Sequence, residues 1–196
     1  MKQIGVLALQ GDFEAHRKAL EEAGAHAVEV RTAEGLAGLD GLVIPGGEST
    51  TMLKLLRIEK LMEPLANFAR RKPVFGTCAG AILLAEDVSN PEQESLRVVD
   101  ISVERNAYGR QLDSHVARLQ PEPSANGDLG GGELEAVFIR APVIRRVGPE
   151  VTVLARYRGD PVLVEQGRCL VATFHPELSE DRRVHRYFVR KVESEK

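Results

Sequence analysis

Residues 73–88 read PVFGTCAGAILLAEDV, and this stretch changes character halfway along its length. PVFGTC is a short apolar run, which is typical of a buried strand. AGAILLAEDV continues with small and aliphatic residues, which favour a helix. A strand that passes directly into a helix is the repeating unit of proteins in which helices cover a parallel sheet.

The same alternation extends back to the N-terminus. Strands are predicted for IGVLALQ, HAVEV and GLVIPGG, at 4–10, 26–30 and 41–47. Apolar residues at helical spacing predict helices over 12–24, 49–61 and 62–72, with Pro64 in the first turn of the last. The first half therefore predicts a parallel sheet covered by helices on both faces.

The second half is mostly strand-like, with short turns between the segments. Six segments have this pattern, at 96–109, 114–120, 136–142, 151–159, 161–167 and 168–177. They predict antiparallel strands added to one end of the sheet. PEPSANGDLGGGE (121–133) is predicted to be a mobile surface loop, and a last helix is expected to start at an N-cap on Ser179. We expect one α/β domain spanning 1–196, with three layers around a mostly parallel central sheet.

The composition excludes several classes of protein. The chain has 196 residues, 43% of them hydrophobic and 28% charged, with a net charge of -3. It therefore has no basic field for nucleic acid or an anionic membrane, and neither a signal peptide nor a membrane span is expected. Its two cysteines, Cys78 and Cys169, are too few for a disulfide framework or a thiolate metal site. A reducing, cytoplasmic setting is expected.

Cys78 lies at the predicted strand-to-helix junction, in Gly76-Thr77-Cys78-Ala79-Gly80. This pattern is typical of a nucleophile on a sharp, strained turn, whose neighbours must be nearly without side chains. The following helix would favour a thiolate, and the Ala79 amide could donate to an oxyanion. The pentapeptide by itself is equally compatible with a buried structural cysteine. Cys169, which has no such pattern around it, is interpreted as a core residue.

A thiolate nucleophile needs a base, and His175 is the candidate. It follows the apolar run LVATF and precedes Pro176 and Glu177. In extended backbone, residues two apart point the same way, so Glu177 could reach the imidazole and orient it. Solvated or capping roles are predicted for the four other histidines, which are His16, His26, His115 and His185.

The loop PGGEST (45–50) follows the third predicted strand and so opens at the edge of the sheet where ligands bind. Gly46 and Gly47 would let backbone amides approach a bound carbonyl, and Glu48 and Ser49 could hold a substrate ammonium or carboxylate. The alternative is a plain turn followed by a helix N-cap. A Walker phosphate loop does not fit, because the required Gly-Lys-Ser/Thr is absent.

Taken together, GTCAG, PGGEST and HPE resemble the class I glutamine amidotransferases, which use a catalytic triad and have a flavodoxin-like fold. Further motifs are similar to those of the glutaminase subunits of bacterial pyridoxal 5′-phosphate synthase. They are LALQGDFEAH (7–16), PGGESTTM (45–52), FGTCAGAILLA (75–85), VERNAYGRQLDSH (103–115), VFIRAP (137–142) and FHPEL (174–178). The resemblance spans 7–178 in family order.

This resemblance implies hydrolysis of glutamine to glutamate and ammonia, with the ammonia passed to a synthase subunit, and it implies no cofactor or metal. It makes Cys78 the nucleophile, His175 the base and Glu177 its orienter. It assigns the oxyanion hole to the amides of Gly47 and Ala79. The glutamine-binding residues that it implies are Gly47, Glu48, Ser49, Arg105, Ile139 and Arg140.

Two rival interpretations remain at this stage. One is the glutaminase of another amidotransferase, such as imidazole glycerol phosphate synthase, which shares the triad but lacks VERNAYGRQ and FIRAP. The other is a non-catalytic binding or redox-sensing module on the same fold. The second rival leaves the HPE and GGES motifs unexplained.

Overall fold

The computed structural model describes residues 1–107, 114–125 and 127–195. Its largest sheet has seven strands in the order β10-β11-β12-β4-β3-β1-β2. The strands span Gln3–Leu7 (β1), His26–Val30 (β2), Gly41–Ile44 (β3), Val74–Thr77 (β4), Thr152–Tyr157 (β10), Asp160–Gln166 (β11) and Cys169–Ala172 (β12). β2, β1, β3, β4 and β12 are parallel. Their order is that of flavodoxin-like sheets, so the predicted fold class is confirmed.

Five helices accompany this sheet. They span Phe13–Glu22 (α1), Ser49–Ile58 (α2), Met62–Ala69 (α3), Ala79–Leu84 (α4) and Arg183–Ser194 (α5). Short 3-10 turns occupy Glu34–Leu36 and Pro176–Leu178. None of the helices in the described ranges is both long and apolar enough to cross a bilayer.

The core forms two layers because side chains along a strand alternate between the faces of the sheet. In β3, Leu42 and Ile44 pack with residues of α2, α3 and α4 on one face. Val43, between them, faces the opposite layer, which contains Leu20 of α1 and Phe188 of α5. The helices on the two faces and the sheet between them make the three predicted layers.

The second half adds an edge hairpin and two small sheets. β10 and β11 extend the central sheet with antiparallel pairing, as predicted. A separate three-stranded sheet contains Ala85–Ser89 (β5), Val99–Glu104 (β6) and Val143–Val147 (β9), and β5 pairs with β6 in parallel. His115–Leu119 (β7) and Leu134–Phe138 (β8) form an antiparallel pair. The prediction that all the added strands lie at one end of the central sheet is therefore wrong.

Three local expectations also need correction. The helix after Cys78 ends at Leu84, because Ala85 turns to an extended backbone and begins β5. α5 starts at Arg183, because the Ser179 hydroxyl accepts from the Asp181 amide and the Asp181 carboxylate accepts from the Arg183 amide. The loop at 121–133 packs against the core through Ala125 and Leu129, which are buried, so it is more than a surface excursion.

Candidate functional site

The candidate site lies at the edge of the sheet where the parallel strands end. Cys78 directly follows β4, Gly46 and Gly47 follow β3, and His175 follows β12. In folds of this type, ligands bind at the carboxyl ends of the strands. The topology thus brings together segments that are about a hundred residues apart in sequence.

The backbone at Cys78 is strained. Its φ of 49° and ψ of -104° lie in a region that residues with a side chain rarely adopt. The glycines on either side allow close backbone packing. A Cβ on Gly76 would lie 2.6 Å from the Gly80 carbonyl oxygen, and one on Gly80 would lie 2.1 Å from the Ile44 carbonyl oxygen. The pentapeptide therefore forms the sharp turn that the sequence predicts.

His175 and Glu177 are in direct contact. Nδ1 of His175 lies 2.7 Å from Oε1 of Glu177, and both residues are buried. The contact is predicted from sequence, but the reason given for it is wrong. Pro176 opens a 3-10 turn rather than an extended segment, so the carboxylate reaches the ring across that turn.

The charge state of His175 depends on its two neighbours. Burial lowers its pKa, but hydrogen bonds to Cys78 and Glu177, together with the electrostatic influence of both residues, outweigh burial and raise the pKa to about 10. For Glu177, burial acts to raise the pKa, but His16 and His175 lower it overall. The imidazole is therefore protonated at neutral pH, between the sulfur and an ionised carboxylate.

The loop after β3 packs directly on this pair. A Cβ on Gly46 would lie 2.5 Å from Cε1 of His175 and 3.1 Å from Cβ of Cys78. Gln10 braces the loop from the end of β1: its Nε2 donates to the Gly46 carbonyl at 3.2 Å, and its Oε1 accepts from the Glu48 amide at 3.1 Å. The sequence analysis missed Gln10. The sequence feature that could have identified Gln10 is an amide side chain at the carboxyl end of a predicted parallel strand.

Glu48 and Arg105 meet beside this loop. The Glu48 carboxylate caps α2 by accepting from the Thr50 and Thr51 amides at 2.9 and 2.7 Å. Desolvation opposes ionisation here, but these hydrogen bonds lower the pKa of Glu48 to about 2. Nη2 of Arg105 donates to Oγ1 of Thr50 at 3.0 Å and lies 3.9 Å from Glu48 Oε1. The helix N-cap that was the alternative for this loop is thus present, but Glu48 supplies it.

The remaining predicted residues lie around the same edge. Ala79 is buried at the start of α4, and the Ser49 hydroxyl donates to Oε1 of Gln93 at 3.1 Å. The Ile139 carbonyl oxygen lies 3.9 Å from Sγ of Cys78, and Arg140, which is exposed, has a positive φ of 46°. Within VERNAYGRQLDSH, residues 108–113 lie outside the described residues.

Two histidines predicted to be solvated or capping are buried behind the triad. His16 and His185 have no exposed surface, and Nδ1 of His16 lies 3.0 Å from Nε2 of His185. The earlier interpretation was therefore wrong for both. Helical spacing carried the signal: His16 is three residues after Phe13 and four before Leu20, and His185 is three residues before Phe188. Both thus face the core of the protein.

Cys169 is a core residue, as predicted. It is buried, and its Sγ lies 3.9 Å from the Ala69 carbonyl oxygen. Burial raises the pKa of its thiol to about 11. The two thiols thus lie in different settings, one against a protonated imidazole and one within the core.

Comparisons with known proteins identify the family of the chain. The model of the SNO glutamine amidotransferase family matches residues 6–194. "Pyridoxal 5′-phosphate synthase subunit PdxT" of Solibacter usitatus (strain Ellin6076) is 63% identical over 98% of this chain and all of its own length. The protein of the same name from Koribacter versatilis (strain Ellin345) is 57% identical over 97% of this chain and 95% of its own length.

Solved structures show the same fold. A crystal structure of a glutamine amidotransferase superposes with a TM-score of 0.87 at 49% identity, covering 97% of this chain and 98% of its own. PurLQS from Thermotoga maritima gives a TM-score of 0.75 at 17% identity over 96% of this chain and 98% of its own, a likeness that concerns the fold alone. On the full-length family match and these identities, the chain belongs to the SNO glutamine amidotransferase family.

Proposed function

We propose that this protein is a glutaminase, which hydrolyses L-glutamine to L-glutamate and ammonia. It would supply the ammonia to the synthase subunit of pyridoxal 5′-phosphate synthase, for vitamin B6 biosynthesis. The observation that supports this most strongly is the buried contact between His175 and Glu177, next to Cys78 on a strained turn. The names of the relatives, pyridoxal 5′-phosphate synthase subunits, support the choice of acceptor.

In the first half of the reaction, Sγ of Cys78 attacks the side-chain amide carbon of glutamine. The carbonyl π electrons move to oxygen, and the amides of Gly47 and Ala79 stabilise the resulting oxyanion. Protonated His175 then gives its proton to the departing nitrogen. The C–N bond breaks, ammonia leaves, and a γ-glutamyl thioester to Cys78 remains.

In the second half, water replaces ammonia. Neutral His175 removes a proton from water as the oxygen attacks the thioester carbon. The second oxyanion collapses by breaking the C–S bond, which releases glutamate and restores the thiolate beside an imidazolium. Glu177 keeps the proton on Nδ1 throughout, so that Nε2 faces the reacting atoms.

Glutamine would lie between the β3 loop and the segment after β8. In this proposal, the charges of Glu48 and Arg105 recognise the amino-acid end of the substrate, because a carboxylate suits the ammonium and a guanidinium suits the carboxylate. Gly47, Ser49, Ile139 and Arg140 complete the site. The 3.9 Å separation of the Ile139 carbonyl from Cys78 Sγ supports placing that segment against the substrate.

We further propose that the synthase subunit activates the glutaminase by ordering the oxyanion loop. The loss of one oxyanion donor costs about 2.7–4 kcal/mol in other enzymes, so a small change at Gly47 would switch the rate. The hydrogen bonds from Gln10 to Gly46 and Glu48 support this proposal, because they hold the loop in place and a partner that altered them would move it. Low activity of the isolated chain is expected.

We also propose that the chain works as a single domain in the cytoplasm. Both cysteines are free thiols, and thiols are kept reduced in the cytoplasm. Strands from both halves of the chain belong to the central sheet, which supports a single domain.

The decisive experiment measures ammonia release from glutamine, with and without the synthase subunit, for wild type and Cys78→Ala. Activity that appears with the synthase and disappears in the variant is expected. Turnover by Cys78→Ala would overturn the assignment of the nucleophile. Full activity of the isolated wild-type chain would overturn the proposed activation, and no activity under any condition would favour the redox-sensing rival.

A further inference from the structure

The triad continues into the core as an unbroken chain of polar side chains. Beyond Glu177 Oε1, which faces His175, the second carboxylate oxygen Oε2 lies 3.2 Å from Nε2 of His16. The same Nε2 lies 3.1 Å from Oγ1 of Thr77, and Nδ1 of His16 lies 3.0 Å from Nε2 of His185. His16, Thr77 and His185 are all fully buried.

Charge considerations indicate which nitrogen of His16 carries the proton. An ionised carboxylate only accepts hydrogen bonds, so a lone pair on Nε2 would be repelled by Glu177 Oε2. The proton is therefore on Nε2, where it faces both Thr77 and Glu177. The approach to Oε2 lacks the alignment of a full hydrogen bond, and no other group among the described residues bonds this oxygen. The contact is thus mainly electrostatic.

The contacts of His185 agree with a proton on Nε2 of His16. With its proton on Nε2, it donates to Nδ1 of His16, and its own Nδ1 is an unprotonated acceptor. That Nδ1 has no hydrogen-bond partner within the described part of the chain. The opposite arrangement would bury an unpaired N–H in the same place, and buried N–H groups without a partner are rarer than acceptors without one.

Both histidines are neutral. Burial lowers the pKa of His16, with a smaller opposing effect from Glu177, a further lowering by His175 and a small rise from Asp12. Burial, His16 and Arg182 all hold the pKa of His185 well below its ordinary value. The ring of Phe75 packs against both imidazoles in T-shaped arrangements. If His16 were an imidazolium, it would compete strongly with protonated His175 for the Glu177 carboxylate. A neutral His16 competes much less.

We propose that His16 is a positioning residue of the triad, which presents its Nε2–H to Glu177 and Thr77, and that His185 selects this tautomer. His16 thereby contacts both the carboxylate that orients the base and the last residue of the strand that carries the nucleophile. This inference rests on the proposed glutaminase function. It adds to that function an outer support that the Cys-His-Glu motif does not contain.

The first test uses the ¹⁵N chemical shifts of the imidazoles in the full-length wild-type chain, with His16→Leu to assign the signals. We expect His16 as the neutral Nε2–H tautomer, without titration from about pH 6 to 8. An Nδ1–H tautomer, or a His16 that becomes protonated in this range, would overturn the inference. The measurement does not depend on activity, so it decides the matter even if the proposed function fails.

The second test compares His16→Gln and His16→Leu in glutaminase assays with the synthase subunit. The glutamine amide can replace the Nε2–H donor, whereas leucine cannot. For His16→Leu, we expect kcat to fall about tenfold to a hundredfold with KM unchanged, because the electrostatic contact of Nε2–H with the Glu177 carboxylate and the hydrogen bond to Thr77 are both lost. The alkaline limb of its kcat/KM profile should move to higher pH, since Glu177 without a competing donor stabilises the His175 imidazolium more strongly.

His16→Gln should recover most of the rate and the wild-type pH profile. The matched control is His26→Leu, which changes an exposed histidine on β2 and should leave both unchanged. Equal losses in the leucine and glutamine variants, at equal thermal stability, would show a packing role and overturn the inference. A wild-type rate and profile in His16→Leu would do the same.

Discussion

Nδ1 of His175 lies 2.7 Å from Oε1 of Glu177, across a 3-10 turn that begins at Pro176. Glu177 follows His175 by only two residues, and the short turn brings their side chains into contact. Both side chains are buried, so the pair is screened little by solvent. Cys78, which lies next to this pair, follows a different strand.

Glu177→Gln tests the orienting role of the carboxylate. The glutamine side chain keeps the size but can present an N–H to Nδ1, which favours the wrong tautomer of His175. We expect glutaminase kcat with the synthase to fall by ~10²–10⁴-fold, by analogy with the loss of the acid in serine protease triads. Glu14→Gln, at an exposed position of α1, is the control for the same chemical change. A Glu177→Gln enzyme with wild-type kcat would contradict the role.

The two cysteines should differ sharply towards an alkylating reagent. Cys78 lies beside protonated His175, whereas burial raises the pKa of Cys169 to about 11. The thiolate is the reactive form, so iodoacetamide should modify the native chain at Cys78. Mass spectrometry should find this label retained in Cys169→Ala, lost in Cys78→Ala and reduced by glutamine. Labelling of Cys169 at the same rate as Cys78 would contradict this difference.

Gly46→Ala should disrupt the site without unfolding the protein. Its Cβ would lie 2.5 Å from Cε1 of His175 and 3.1 Å from Cβ of Cys78, so at least one of them must move. A displacement of about 1 Å can cost about a hundredfold in rate, while overpacking typically costs about 1–3 kcal/mol in stability. Ammonia release and thermal melting measure the two effects.

Gly127→Ala is the matched control for this change, because the added Cβ has no atom within 4 Å among the described residues beyond its chain neighbours. It should keep wild-type activity. If Gly46→Ala also kept it, the β3 loop would not be packed on the reacting pair in the working enzyme.

Glu48 should stabilise the fold in a pH-dependent manner. Desolvation acts to raise its pKa, but the hydrogen bonds that it accepts from the Thr50 and Thr51 amides and the Thr51 hydroxyl lower the pKa to about 2. A lowered pKa in the folded state stabilises the protein above the ordinary pKa of a glutamate, and this stabilisation is lost as the pH falls towards about 2. Glu48→Ala should therefore lower the free energy of unfolding by about 0.5–2 kcal/mol at neutral pH.

The check is urea denaturation of wild type and Glu48→Ala at neutral and at acidic pH. The difference between the two proteins should shrink as the pH approaches the lowered pKa of Glu48. A difference that stays constant over this range would show that the cap does not depend on the carboxylate charge.

Much of this site could be predicted from short sequence patterns. Gly76, Cys78 and Gly80 specify a strained turn because only glycine allows such close backbone contacts on either side of it. His175 and Glu177 are close in sequence, so their contact needed only a local conformation. The parallel pairing of the central strands followed from the alternation of strands and helices, because parallel neighbours need crossover connections.

Other features depended on contacts between distant segments. The small sheet of β5, β6 and β9 was missed because its strands pair across long stretches of chain, and β5 was assigned to the preceding helix. Gln10 is an ordinary amide in sequence, and only the adjacency of β1 and β3 brings it onto Gly46 and Glu48.

The amino-acid sequence by itself determined the strained turn at Cys78, the contact of His175 with Glu177, and the layered α/β fold, because glycine sterics and hydrophobic periodicity act locally. Only the tertiary structure decided which buried residues lie next to this pair. α1 and α5 each turn one histidine inward, and only their packing on the same face of the sheet places His16 against Glu177 and His185 against His16. Burial then makes both imidazoles neutral, since an unsolvated charge is costly, and no local pattern contains that information.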